Sequence, residues 1–253
     1  MKNVFKFRTI GILSLLISFT SAYQPLMAQI KIDNISIGSS VWLRTYNTPD
    51  ERSVLVNPPS ENGQTNPMVM VHLGAEIGLF KGFGIQTRVG YGSNKYSSTQ
   101  ELGGFIREEK LNQTIIPGSV GLMYKFPLNI FESNKNSGFS KATKRPQNDW
   151  LLSISGGLNR YFLQHQISRT INQDEGSIAP SNYNGNNYGG YAQLGIQKLL
   201  GESFSISLDT RYNTGEYFQK VYSESMDGEF IRNKISIQGL EFGLRLAYIF
   251  PTN

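Results

Sequence analysis

The chain has 253 residues, no cysteine and a formal net charge of +5, with a pI near 9.3. Lack of cysteine removes any disulfide framework and any anchor built on a lipidated cysteine. The basic balance excludes nucleic acid as a partner: the first 28 residues hold three of the 24 Lys and Arg and none of the 19 Asp and Glu, leaving a nearly even 21 against 19.

Lys2, Lys6 and Arg8 precede the apolar run Ile10 to Phe19, and small residues follow, with plausible cleavage points after Ala22 and Ala28. The run is too short to cross a bilayer as a helix, so residues 1–28 read as a secretory signal peptide, with cleavage after Ala28 preferred. Residues 29–253 then form one domain. No later stretch is apolar for long enough to make a membrane helix, but a barrel strand needs only about 9 to 11 alternating residues.

Such alternation recurs along the chain. The first strand is expected at Ile32 to Tyr46, with Ile35, Ile37, Val41 and Leu43 opposite Ser36, Gly38, Ser40, Trp42 and Arg44. A polar loop from Asn47 to Pro67 leads to a second strand, Met68 to Phe80, whose row Val69, Val71, Leu73, Ala75, Ile77, Leu79 carries no charge. Lys81 and Gly82 form a hairpin turn into a third strand, Phe83 to Ser93. After a second long polar loop, Asn94 to Thr114, come strands around Ser119 to Phe126, Trp150 to Gln164, Tyr188 to Lys198 and Phe204 to Asn213. The intervening segments Ser168 to Asn187 and Thr214 to Lys234 read as further long loops. Two extra strands hidden in such loops would make the count ten instead of eight.

The last strand is the most telling. In Leu240 to Phe250, the residues Leu240, Phe242, Leu244, Leu246, Tyr248 and Phe250 alternate with Glu241, Gly243, Arg245, Ala247 and Ile249. A face with two charges opposite a face of aliphatics and aromatics suggests lipid outside and a polar lumen inside. Phe80, Phe83, Tyr124, Phe126, Trp150, Phe204, Tyr248 and Phe250 all fall at one end of their strands, as an interfacial aromatic girdle requires. On these residues the chain resembles the small outer-membrane β-barrel proteins of Gram-negative bacteria, the OmpA/OmpX type, with Pro251, Thr252 and Asn253 after the final aromatic as a departure. The resemblance implies an eight-stranded antiparallel transmembrane β-barrel, an up-and-down meander. It also implies placement by the barrel assembly machinery among outer-membrane lipid and lipopolysaccharide. Envelope integrity, adhesion or contact with an extracellular ligand through the loops would be its work, with a narrow porin-like channel as the alternative and a lipid-modifying enzyme as a second one.

The expected lumen concentrates charge. Glu76, Arg88, Asp209 and Arg245 lie at similar depth on inward faces, so two cross-strand ion pairs are expected, Glu76 with Arg88 and Asp209 with Arg245, and Arg211 and Glu241 lie above them. An unpaired charge in so confined a space would be costly, and with Gln86, Tyr191 and Gln193 the pairs would form a polar plug; a narrow ion path lined by the same charges is the alternative. The segment Leu128 to Asp149, with Lys135, Lys141, Lys144 and Arg145, is too long for a periplasmic turn. It reads as a solvated insertion, or as a contact for anionic lipid headgroups or cell-wall polymer.

Catalytic signals are weak. His72 reads as a lumen hydrogen-bonder and not a base, His165 and Ser168 are three apart and so face opposite sides of a strand, and Asn172, Asp174 and Glu175 fall short of a calcium loop. No enzyme activity, cofactor or metal is expected. A soluble periplasmic sandwich or lipocalin-like barrel shares the composition and differs in its face chemistry.

Overall fold

The computed structural model describes residues 31–45, 52, 55, 65–128, 150–172, 174–222 and 230–251. Residues 1–28, read from the sequence as a signal peptide, most of the segment Asn47 to Pro67 read as the first loop, and all but the first residue of the segment 128–149 lie outside them.

Among the described residues nine strands occur: β1 (Lys31–Thr45), β2 (Thr65–Phe80), β3 (Phe83–Leu102), β4 (Phe105–Pro127), β5 (Trp150–Ile171), β6 (Asp174–Leu200), β7 (Phe204–Tyr222), β8 (Phe230–Ser236) and β9 (Gly239–Ile249). Each of β1 to β7 pairs antiparallel with its sequence neighbour, and β9 pairs with both β7 and β1, closing a ring of eight strands. The ninth adds nothing to the ring, because β8 extends the line of β9 upward, pairing with the upper part of β7. The eighth wall is therefore one strand broken at Ile237 and Gln238, where Ile237 N donates to Gly215 O and Thr45 N to Gln238 O.

Closure at this break leaves no space beside β1. A Cβ on Gly239 would stand 2.2 Å from the Leu43 carbonyl oxygen and 2.8 Å from Arg44 Cα, both backbone. Gly239→Ala should lower folding stability by about 1–3 kcal/mol, seen as an earlier midpoint in a guanidinium titration of protein folded in lipid vesicles; an unchanged midpoint would mean that this junction is looser than its geometry.

Outward rows follow the sequence alternation. Ile37, Val69, Leu73, Val89, Leu122, Leu158, Leu208 and Leu244 are all exposed, whereas their neighbours along each strand point inward. The aromatics at the lower rim form two contact arcs. Phe80, Phe83, Tyr124 and Phe126 follow one another at 4.6–5.8 Å between rings, and Phe204, Tyr248 and Phe250 at 5.4–5.5 Å.

The structure corrects the long loops. Asn94 to Thr114 is not a loop but the upper half of a hairpin: β3 and β4 stay in register up to Leu102↔Phe105 across a turn at Gly103 and Gly104, both at positive φ. Ser168 to Asn187 is likewise strand, β5 and β6 meeting at Asn172, and β7 with β8 occupies much of Thr214 to Lys234. Toward the upper ends of the strands the outward residues turn polar, as at Gln164, Gln166, Asn182 and Asn184, so the apolar alternation fades while the backbone ladder continues. Asn172 serves that turn, its backbone N–H and side-chain carbonyl pairing with Ile106.

Candidate functional site

Two charged layers fill the lower lumen. In the lower one, Glu76 of β2 accepts from Arg245 NH1 at 2.6 Å through Oε1, while Oε2 meets Lys125 Nζ and Asn34 Nδ2. Arg245 of β9 also spans to Asp209 of β7, with Nε 3.0 Å from Oδ2 and NH2 3.4 Å from Oδ1. Two carboxylates and two cations thus balance at one depth. Gly195 makes room for this, since a Cβ there would lie 2.4 Å from Asp209 Oδ1.

In the upper layer Glu241 pairs with Arg88, accepts from Ser40 Oγ at 2.5 Å and accepts from Asn213 Nδ2 at 2.9 Å. Arg211 takes neutral partners: NH2 donates to Asn159 Oδ1 at 2.6 Å, Nε to Asn213 Oδ1 at 2.9 Å, and the guanidinium lies 3.6 Å from the centre of the Tyr191 ring. Gln86 accepts from Ser155 at 2.8 Å and Gln193 from Arg211 at 3.4 Å.

All six residues singled out from the sequence face the lumen, but Glu76 and Arg88 do not pair. The ladder sets Glu76 opposite Gln86 and Arg88 opposite Gly74, so Arg88 sits one step higher and reaches across the lumen to Glu241. Lys125 of β4, not counted among those six, takes the vacant place beside Glu76. Alternation identifies a face, whereas the partner depends on the stagger between strands, which no single strand reveals.

Above the charges lies a feature that inward polarity alone does not suggest. Trp42, Met68, Met70, Ile115, Tyr161, Leu163, Tyr217, Ile235 and Ile237 form a buried apolar cluster across the barrel, with Trp42 stacked on Tyr161 at 6.1 Å. Higher still, Leu55 from the first loop packs with Leu111 and Ile167. Arg44 bounds the first cluster, donating to Gln113 Oε1 at 3.3 Å and Ser236 O at 3.1 Å. The signal for this stopper was present in Val41-Trp42-Leu43 and Met68-Val69-Met70-Val71, where both faces are apolar and hence both are covered. Where charges and stopper meet, between Trp42, Tyr161, Arg88 and Arg211, the void measures about 10 Å3, room for about one water.

The histidines separate. His72 lies against Gly38, where a Cβ would stand 2.3 Å from its Cε1. His165 sits in the upper lumen, its Nε2 3.1 Å from Tyr217 OH and its Nδ1 3.2 Å from Gln219 Nε2, while Ser168 is on the other face of β5. Among the described residues no three His, Asp or Glu gather as a metal site.

No family model and no curated protein matches the chain. Solved structures do resemble it. OprG, an outer-membrane protein of Pseudomonas aeruginosa, aligns at 9% identity over 88% of this chain and 98% of its own, with a TM-score of 0.49. Ail, the attachment invasion locus protein of Yersinia pestis, solved with the heparin analogue sucrose octasulfate, aligns at 11% identity over 87% and 98%, with a TM-score of 0.45. Neisserial surface protein A aligns at 10% identity over 84% and 95%, with a TM-score of 0.40. By its own strand order, closure and face chemistry, this chain is an up-and-down β-barrel with the architecture of the small outer-membrane proteins.

Proposed function

We propose that the chain is an integral, non-enzymatic protein of the bacterial outer membrane, exported by its signal peptide and inserted by the barrel assembly machinery. Its lumen is stoppered, and its work in envelope integrity, adhesion or ligand contact is done by the surface hairpins. The observation that carries this is the inversion of the two faces: aliphatic side chains ring the outside while Glu76, Asp209, Arg211, Glu241 and Arg245 are buried within. A water-facing sheet gains nothing from that arrangement; a lipid-facing one requires it, because no hydrocarbon-exposed backbone edge or charge is tolerated. Outer-leaflet lipid and lipopolysaccharide then surround the belt. The charged layers hold the barrel shut instead of conducting, since the lower layer balances its signs at one depth, the upper layer ties Arg88 and Arg211 to Glu241 and neutral amides, and apolar side chains close the passage above them.

The test is a charge placed in the belt. Leu244, outward on β9 between Ser39 and Leu208, is four residues above the rim aromatic Tyr248 and near mid-height. Leu244→Arg should cost about 2–4 kcal/mol in lipid vesicles, measured by reversible unfolding in denaturant. On a face wetted by water the same change would cost about 0.5 kcal/mol or less, and that result would overturn the membrane assignment.

A further inference from the structure

Above Gly189 the wall has a seam. The β6–β7 ladder ends at the pair Gly189↔Gly215, although β6 begins at Asp174 and β7 runs to Tyr222. From Glu216 upward β7 pairs with β8, on its other side. A slot of about 270 Å3 opens into this seam. Its floor is His165, Tyr217 and Gln219, joined by the contacts of 3.1 and 3.2 Å at the two imidazole nitrogens. Its rim carries Asn182, Asn184 and Phe218. Outward residues at this height on β5 and β6, Gln164, Gln166, Asn182, Asn184 and Asn186, are exposed and polar, so the slot stands above the lipid belt.

Three observations define what would fit. Gln219 is 3% exposed, yet its carbonyl Oε1 is buried with no hydrogen-bond partner; a buried acceptor of this kind calls for a donor. Among the described residues no Asp, Glu, Lys or Arg lines the slot, so its described lining offers a charged ligand no counter-charge. Phe218 presents its ring at 62% exposure beside the Asn182 and Asn184 amides, combining a flat apolar surface with adaptable hydrogen-bonding groups. Sugar rings have that same duality: C–H groups on one face, hydroxyl donors and acceptors around the edge. The volume is just below the range of about 300–1,000 Å3 typical of drug-sized ligands, which suits one ring and no more.

We propose that the slot binds a single neutral sugar residue, such as the terminal unit of a surface glycan, with a hydroxyl donating to Gln219 Oε1 and the ring lying against Phe218. This rests on the reading of a membrane-embedded barrel that works through its outer surface, and it gives that surface a site and a ligand class.

Protein reconstituted in lipid nanodiscs would be titrated with glucose, galactose and N-acetylglucosamine, and with octanol as an alkyl probe, followed by saturation-transfer NMR. At least one neutral sugar should bind saturably in the millimolar range. Phe218→Ala should weaken it by about ten-fold. Gly185→Leu should abolish it: a Cβ there meets the Tyr217 ring at an ordinary 3.5 Å, so a side chain enters the slot without striking backbone. Absence of saturable binding by any of the three sugars would overturn the proposal, as would undiminished binding by Gly185→Leu, or saturation by octanol alone. Heat-dependent gel mobility reports the folded barrel separately, so protein that folds without binding sugar removes the site and leaves the membrane assignment standing.

Discussion

Glu76→Gln should lower the stability of the folded barrel by about 3–5 kcal/mol, the usual cost of leaving buried charge without its partner. One carboxylate here serves Arg245, Lys125 and Asn34, and the amide that replaces it holds no charge against either cation. The two cations differ in their means of escape. Lys125 lies near the lower rim, partly exposed, and its flexible stem can carry the ammonium to water. Arg245 is buried and fixed between Glu76 and Asp209. Lys125→Ala should therefore cost less, about 1.5–3 kcal/mol, the worth of a hydrogen bond to a charged group, because Glu76 keeps Arg245 and Asn34, and Arg245 should account for most of the penalty in Glu76→Gln. Denaturant titrations in vesicles compare the two directly. Equal costs would mean that water reaches the lower layer and screens it.

The second large effect is on permeability. Purified protein in a planar bilayer should be silent, and Arg88→Ala alone should be silent too, because the stack of Trp42 on Tyr161 closes the passage above the charges. Ion leakage should appear only when Trp42→Ala and Tyr161→Ala are added to Arg88→Ala, which opens the stopper and the upper charged layer and leaves the lower layer of Glu76, Lys125, Asp209 and Arg245 as the remaining constriction. Each large-to-small change in the stopper should also cost about 3–5 kcal/mol, so the triple variant must be shown to be folded before its conductance is read. Steady wild-type channels with reproducible ion selectivity would reverse the assignment and make Glu76, Arg88, Asp209, Arg211, Glu241 and Arg245 the lining of a conducting path.

What was legible in the sequence follows from what the surroundings impose on a strand. Along the outward belt each strand carries an apolar residue at every second position, a demand that made rows such as Val69, Val71, Leu73 directly readable, and the Lys81-Gly82 turn came with its positive φ residues. Above the belt that demand lapses. Tyr96 to Leu102 and Asn182 to Asn187 look like loops because their outward faces are polar and only single inward tyrosines, Tyr96 and Tyr183, meet an apolar cluster, though both run in regular ladders. The lumen charges were found because charged residues on one face of an otherwise apolar strand are conspicuous. Partner choice was legible only in part: Asp209 meets Arg245 on the adjacent strand as expected, whereas Arg88 meets Glu241 across 153 positions of sequence through a stagger that belongs to the closed ring as a whole. The Trp42 stopper was overlooked because lumen chemistry changes with height, and an average over the strand hides the change.

The upright hairpin of β3 and β4 sets a rule for how this surface can vary. Its tip, Gly103 and Gly104, has nothing among the described residues within 4 Å of either glycine's missing side chain, so residues can be added or deleted there with no described neighbour to accommodate. Each strand must change by two residues at once, since one residue would turn the tip to the opposite face of the sheet. Length therefore comes in steps of two residue pairs, each step leaving the register of the belt below untouched. A surface under pressure to diversify can grow or shrink in such steps while the buried charges below keep their partners.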